Sequence, residues 1–213
     1  MPQLTLYLSA GACSMAAHVG LLEAGAEFTP RHVSLAKGEQ LQPDYLHINP
    51  HAQVPALKIG DRVLTENVAI LPWIAKTWPE ADLLPLANPD EESRTLSYLG
   101  WLSSSVHTAF GPLFHPERYV DGSEAKRELA RHARQHVQDH FAEIDAHLKD
   151  KEYSLGRFSL ADIYLFAFYG WGANYLKLDM AQYPHFTALY QRLLQRPSVQ
   201  RMQAAEQELA KAA

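Results

Sequence analysis

The fold can be predicted from two runs of sequence, Val54-Pro-Ala-Leu-Lys-Ile59 and Val63-Leu-Thr-Glu66, which are separated by Gly60-Asp-Arg62. Two β-prone segments joined by a short glycine-containing turn are typical of a β-hairpin. Asn67 to Trp78 follows with helical spacing, and Pro79 ends it. This part of the chain is therefore predicted to be β-β-α.

The residues before this hairpin predict a β-α-β unit. Leu4 to Leu8 is a short β-prone run, and Ser14 to Ala24 has the pattern of a helix, with Gly25 as its C-terminal cap. Phe28 to Leu35 predicts a second strand, and Pro30 near its start favours a position at the edge of a sheet.

The residues after the hairpin unit change in character. Residues 81–89 hold Pro85 and Pro89 among small and polar side chains, which predicts a linker between a domain of residues 1–80 and a domain of residues 90–213. The second domain is predicted to be all-helical. Its clearest signal is an apolar stripe at helical spacing, formed by Leu129, Ala133, Val137, Phe141, Ile144 and Leu148.

Composition excludes several classes of function. Of the 213 residues, 47% are hydrophobic and 20% are charged, which is typical of a globular protein. The formal net charge of −5 argues against nucleic-acid binding and against an anionic membrane surface. No signal peptide or membrane span is expected. A single cysteine excludes an intramolecular disulfide and fits a cytoplasmic location.

Cys13 is the first candidate for chemistry, because it lies between the first strand and the first helix in Ser9-Ala-Gly-Ala-Cys-Ser-Met15. A thiol at a helix N-terminus lies near the positive end of the helix dipole, which favours the thiolate. Gly11 allows a tight turn beside it. The alternative is an inert buried cysteine, which is a common fate for this residue type.

Two other segments have the features of a binding site for an amino-acid group or a peptide. Val54 precedes Pro55, and a cis peptide there would leave the Val54 backbone free to pair with an extended peptide. Asn67 is a suitable N-cap for the helix that follows Glu66. The helix start and the Glu66 carboxylate could together bind the carboxylate and ammonium groups of an α-amino acid head. The alternative for this second segment is simple helix capping.

Among eleven histidines, His132, His136 and His140 share one helix face, but no cysteine or carboxylate completes a ligand pattern. A polar helix face is therefore favoured over a metal site, and no metal is expected. His107 ends a helical run and could point toward the first domain, or it could simply bond a neighbouring helix. Phe158-Ser-Leu-Ala-Asp-Ile163 predicts a capping box, which is a folding device.

Six motifs in this order resemble the cytosolic glutathione transferases, and most closely the bacterial beta class. They are Gly-Ala-Cys-Ser at 11–14, Asn49-Pro50 with Gln53-Val54-Pro55-Ala-Leu57, Leu64-Thr-Glu66 before Val68-Ala-Ile70, Val106-His107, Pro112-Leu-Phe114 and Phe158-Ser-Leu-Ala-Asp162. The resemblance covers almost the whole chain. It implies a thioredoxin-like α/β N-terminal domain of order β-α-β-α-β-β-α, an all-α C-terminal domain, a cis Pro55 and a homodimer.

The same resemblance implies roles for individual residues. Cys13 and His107 would be catalytic, both near the glutathione sulfur. The glutathione-binding residues would be Cys13, Lys37, Gln53, Val54, Glu66 and Asn67. This sequence departs from the family at Thr108, where a lysine is common, at Asn67, where serine or glycine is common, and at Gly100, where an asparagine is frequent.

The resulting hypothesis is a transferase that joins the glutathione thiolate to small hydrophobic electrophiles, with a detoxifying role. Tyr7, Phe110, Phe114 and Trp171 are candidate walls of the electrophile pocket, although core packing is the alternative, and the more favoured one for Trp171. Two other functions stay open. One is a glutathione-dependent thiol-disulfide reductase that uses Cys13. The other is a weakly catalytic carrier with the same fold.

Overall fold

The computed structural model describes residues 2–212. Its N-terminal part contains a four-stranded mixed sheet in the order β2-β1-β3-β4. The strands are β1 (Leu4–Leu8), β2 (Thr29–His32), β3 (Ala56–Ile59) and β4 (Arg62–Thr65). β1 is parallel to β2 and antiparallel to β3, and β3 and β4 form the predicted hairpin. Strand β2, which contains Pro30, is an edge strand as predicted.

Three helices accompany this sheet: α1 (Ser14–Glu23), α2 (Pro43–Leu46) and α3 (Asn67–Thr77). The order β1-α1-β2-α2-β3-β4-α3 confirms the expected thioredoxin-like arrangement. Gly25 lies just beyond α1 with a φ of 62°, which suits a residue without a side chain. The Val54–Pro55 peptide is cis, as the resemblance implies.

The rest of the described chain is helical, as predicted. Its helices are α4 (Pro89–Trp101), α5 (Gly111–Phe114), α6 (Ser123–Leu148), α7 (Leu160–Gly170), α8 (Pro184–Leu194) and α9 (Pro197–Ala212). Two π-helical turns continue α4 and α7, over Leu102–His107 and Trp171–Tyr175. Such turns often occur at functional sites. Here the two turns contain His107 and Trp171.

One continuous hydrophobic core joins the sheet to the helices of both parts. Helix α1 packs against α3, α7 and α9, so the loop that precedes α1 lies against the helical part of the chain. The predicted stripe on α6 is buried from Ala133 to Leu148, whereas Leu129 lines an open groove. Among residues 2–212, no helix has both the length and the apolar character needed to cross a membrane.

The predicted capping box at the start of α7 is present. The Asp162 carboxylate accepts hydrogen bonds from the Ser159 amide at 2.9 Å and from the Ser154 amide at 2.8 Å. Its side chain is fully buried, and burial raises its pKa despite these bonds. A buried carboxylate needs hydrogen-bond donors, and here the Ser154 and Ser159 amides supply them. This arrangement fixes the residue at which α7 begins.

Candidate functional site

The loop between β1 and α1 is closed by its own side chains. The buried Ser14 hydroxyl donates to the Ser9 carbonyl and accepts from the Ser9 amide, both at 3.1 Å. Gly11 has a φ of 74°, a conformation that residues with a side chain rarely adopt. The loop therefore presents Cys13 at the N-terminal end of α1, as the sequence predicted.

The protonation state of Cys13 differs from the prediction. Burial, together with the negative charge of Glu66, raises the pKa of the thiol to about 12, although the Cys13 and Ser14 amides partly oppose this. The thiol donates to the Val54 carbonyl at 3.1 Å. The expectation that the helix terminus would favour a thiolate is wrong for the free site, because removing the sulfur from water outweighs the hydrogen bonds of the two backbone amides.

Two side chains hold the backbone of the segment before the cis peptide in place. The Gln53 carbonyl accepts hydrogen bonds from the Tyr45 hydroxyl at 2.6 Å and from the Asn49 side chain at 2.7 Å. The Val54 amide has no bonding partner among residues 2–212. A backbone donor is thus available next to the thiol, as expected for a position that pairs with an extended peptide.

Asn67 does not cap α3, which corrects the prediction for its side chain. It is the first residue of the helix, Glu66 holds the cap position with a φ of 69°, and neither side chain makes a capping bond. Instead, the buried Asn67 Nδ2 donates to the Cys13 carbonyl at 3.0 Å. The side chain therefore points inward and adds to the bond that the Cys13 carbonyl already accepts from the Ala16 amide. The first-turn backbone amides of Asn67 and Val68 have no protein partner among residues 2–212.

His107 ends the first π-helical turn and lies among aromatic rings. Its ring centroid is 5.1 Å from that of Trp171 and 5.8 Å from that of Phe168, and its Nδ1 is 2.8 Å from the Tyr164 hydroxyl. Burial lowers the pKa of His107 to about 4. The imidazole is therefore neutral near pH 7 and supplies a hydrogen bond rather than a cation. Thr108, its neighbour, donates to the Ser104 carbonyl of its own helical segment.

Two residues of the helical part hold the Cys13 loop at Gly11. The Glu206 carboxylate on α9 accepts from the Gly11 amide at 3.0 Å and from the buried His18 at the same distance. The Trp171 indole donates to the Gly11 carbonyl at 2.8 Å. The sequence did not single out Glu206, because its position near the end of an amphipathic helix does not indicate that it is buried. Trp171 has a polar contact in addition to the core packing that was favoured for it.

The structure changes the set of residues that could line the pocket for the electrophile. Phe110 is fully buried and stacks on Phe114 and Phe168, so it belongs to the core. Tyr175, which the sequence did not single out, is 61% exposed and packs edge-on against Phe114. Phe114 in turn packs against Trp171. An apolar surface thus extends outward from the Trp171–Gly11 contact.

Lys37 and Gln53 have exposed side chains, Lys37 in the turn of residues 35–38 and Gln53 just before Val54. A separate open groove of about 430 Å³ is lined by Thr108, Ala109, Pro112, Leu129, His132, Ala133 and His136. None of these residues belongs to the Cys13 loop. Across residues 2–212, no group of three or more His, Cys, Asp or Glu side chains is arranged to hold a metal ion.

Comparison with known proteins identifies the family. Residues 2–76 match the family model of the glutathione S-transferase N-terminal domain, and residues 103–197 match that of the C-terminal domain. The chain is 35% identical over 205 residues to glutathione S-transferase GstA of Escherichia coli O157:H7, covering 94% of this chain and 98% of the relative.

Solved structures agree with this match. A beta-class glutathione S-transferase of Sphingomonas chungbukensis is 42% identical, with a TM-score of 0.84 and coverage of 95% of this chain and 98% of that one. A glutathione transferase homologue from Sulfitobacter, solved with bound glutathione, is 31% identical, with a TM-score of 0.90 and coverage of 96% and 99%.

A thioredoxin-like domain followed by a helical domain, with a cysteine loop facing a cis-proline segment, defines the class of cytosolic glutathione transferases. The chain belongs to the glutathione S-transferase family and is an enzyme of that family.

Proposed function

We propose that this enzyme binds glutathione along the edge formed by Val54, Glu66 and the start of α3, and joins the glutathione thiolate to small hydrophobic electrophiles. The observation that carries this proposal is the unpartnered Val54 amide beside the Cys13 thiol. An extended tripeptide that pairs with Val54 would have its cysteinyl sulfur next to Cys13. The structure of the Sulfitobacter relative contains bound glutathione, which supports glutathione as the ligand of this chain.

Charge supports the orientation of the ligand. The exposed Glu66 carboxylate would accept the ammonium group of the γ-glutamyl head. The free amides of Asn67 and Val68 would bind its carboxylate at the positive end of α3. In this arrangement Asn67 contributes its backbone, while its side chain holds Cys13. Lys37 and Gln53 would contact the remaining polar groups of the tripeptide.

The chemistry follows from the protonation states of the site. Glutathione loses its thiol proton to water, its sulfur attacks the electrophilic carbon, and the leaving group departs with its electron pair. Cys13, which stays protonated because burial raises its pKa to about 12, and the neutral His107 would both donate hydrogen bonds to the glutathione thiolate. The apolar surface of Phe114, Trp171 and Tyr175 would receive the electrophile.

The protonated state of Cys13 favours conjugation over disulfide reduction, since a reductase needs this cysteine as a thiolate nucleophile.

We further propose that the protein is a cytoplasmic homodimer. We also propose that each chain is divided into a domain of residues 1–80, a linker of residues 81–89 and a domain of residues 90–213. Size measurement by light scattering tests the dimer, and limited proteolysis within residues 81–89 tests the division.

Calorimetry with reduced glutathione, together with conjugation of a chlorodinitrobenzene, tests the activity. Glu66→Ala should weaken glutathione binding about tenfold or more, because it removes one charge-assisted bond. Glu80→Ala, an exposed glutamate after α3, is the matched control and should bind like the wild type. Cys13→Ala should lower conjugation without abolishing it, because it removes one of the two donors to the thiolate and leaves His107. No heat of binding to the reduced wild-type protein would refute the proposal.

A further inference from the structure

Tyr164 contacts His107 in the interior of the helical part. The Tyr164 hydroxyl lies 2.8 Å from His107 Nδ1. Tyr164 is buried, with an exposure of 1%. It belongs to α7, which packs against the π-helical turn that His107 ends.

We propose that Tyr164 is a positioning residue that holds His107 as the tautomer with its hydrogen on Nε2, so that Nε2–H donates to the glutathione sulfur. This inference deepens the proposed function and rests on it for the identity of the sulfur ligand. The Tyr164 side chain does not touch glutathione in this proposal. It acts by fixing which nitrogen of His107 carries the hydrogen.

The direction of the hydrogen bond between Tyr164 and His107 follows from the two groups that share it. Burial raises the pKa of the Tyr164 phenol, so the phenol keeps its hydrogen near pH 7. It therefore has a hydrogen to donate.

That hydrogen goes to His107 Nδ1. A phenol is a stronger hydrogen-bond donor than a neutral imidazole N–H, and the unprotonated imidazole nitrogen is the stronger acceptor. His107 is neutral near pH 7, because burial among aromatic rings lowers its pKa to about 4. A neutral histidine that accepts at Nδ1 carries its hydrogen on Nε2.

The Nε2 atom is free to reach a ligand. Within the described residues it has no hydrogen-bond partner, and it is not among the polar atoms that are both buried and unpartnered. Trp171 contacts the His107 ring and donates to the Gly11 carbonyl, which places the imidazole next to the Cys13 loop. A fixed donor at this point would stabilise a thiolate without needing to reorient during the reaction.

Tyr164→Phe removes only the hydroxyl and tests the proposal. The pKa of enzyme-bound glutathione, followed by thiolate absorbance against pH, should rise by about one unit, and conjugation near pH 7 should fall about tenfold. Affinity for S-methylglutathione, which has no ionisable thiol, should be unchanged. Tyr169→Phe is the matched control on the same helix, since its hydroxyl bonds Thr187 instead, and it should leave the bound pKa at the wild-type value.

Nitrogen-15 NMR of the histidines in the glutathione-free wild-type protein tests the tautomer separately from ligand binding, and needs no variant that must fold. An Nε2–H signature for His107 that is lost in Tyr164→Phe supports the proposal. An Nδ1–H signature in the wild type overturns it, and so does an unchanged pKa of bound glutathione in Tyr164→Phe. Failure to bind glutathione, by contrast, would refute the proposed function and leave the NMR result to decide the tautomer.

Discussion

The Gly11 amide and the Glu206 carboxylate, 195 residues apart in the chain, form a 3.0 Å hydrogen bond. Glu206 lies on α9 and also bonds His18 on α1, and its side chain is almost fully buried. A buried carboxylate with two such partners fastens the loop of Cys13 to the last helix of the described chain. Its removal would leave both partners without an acceptor.

We expect Glu206→Ala to lower the free energy of unfolding by about 3 kcal/mol or more, since removing the carboxylate leaves the buried His18 ring and the Gly11 amide without their acceptor. Urea denaturation measures this change. Glu208→Ala, on the same helix but exposed, is the control and should change stability by less than about 0.5 kcal/mol. Equal effects of the two substitutions would show that the Gly11–Glu206 bond does not stabilise the fold.

Cys13 should react slowly with iodoacetamide in the folded, glutathione-free protein. Raising the thiol pKa from 9.0 to about 12 reduces the thiolate fraction at pH 8 about a thousandfold, and the greater nucleophilicity of a more basic thiolate restores only part of the rate. Native protein should therefore be alkylated at least about tenfold more slowly than protein unfolded in urea. Mass spectrometry gives both rates directly, because the chain has one cysteine. Equal rates would contradict a protonated Cys13.

His107 should make stability depend on pH in the acid range. Its folded pKa, about 4, lies below the ordinary histidine pKa of 6.5, so unfolding takes up a proton between these values. The stabilisation is present above pH 6.5 and is lost as the pH falls toward 4, by up to about 3 kcal/mol. Urea denaturation at several pH values should show a smaller loss in His107→Gln than in the wild type. Identical pH dependence of the two proteins would exclude this contribution.

Gly172→Ala should disturb both stability and glutathione binding. A Cβ at this position would overlap the ring of Phe141, and the residue directly follows Trp171. Overpacking of this kind costs about 1–3 kcal/mol, measured by thermal or urea unfolding. Gly170→Ala is the control, because a Cβ there meets no atom within 4 Å, and it should be neutral or stabilising. A Gly172→Ala protein as stable as Gly170→Ala would rule out the steric effect.

Local sequence signals predicted most of the fold. The hairpin, the edge strand with Pro30, the helix that follows Cys13 and the capping box at Ser159 depend on residues close together in the chain, and the structure contains all of them. The same signals could not predict the orientation of Asn67, because its partner at Cys13 becomes its neighbour only after folding. The protonation of Cys13 also depends on burial by distant residues, which a helix-start position does not reveal.

Sequence reasoning was least informative for residues that act through distant parts of the chain. Glu206 and Tyr164 have ordinary helical surroundings in the sequence, and their roles come from contacts across the fold. The motif residues Val54, Glu66 and His107 could be selected in advance, but the free Val54 amide and the neutral state of His107 required coordinates.

The bonds that Gly11 makes to Trp171 and Glu206 also affect how the site matures during synthesis. A ribosome produces the cysteine-bearing turn early, long before it translates the helix that will hold that turn. A nascent chain stalled before α9 would therefore carry an unfinished thiol site, and the loop would gain its final shape only when α9 docks.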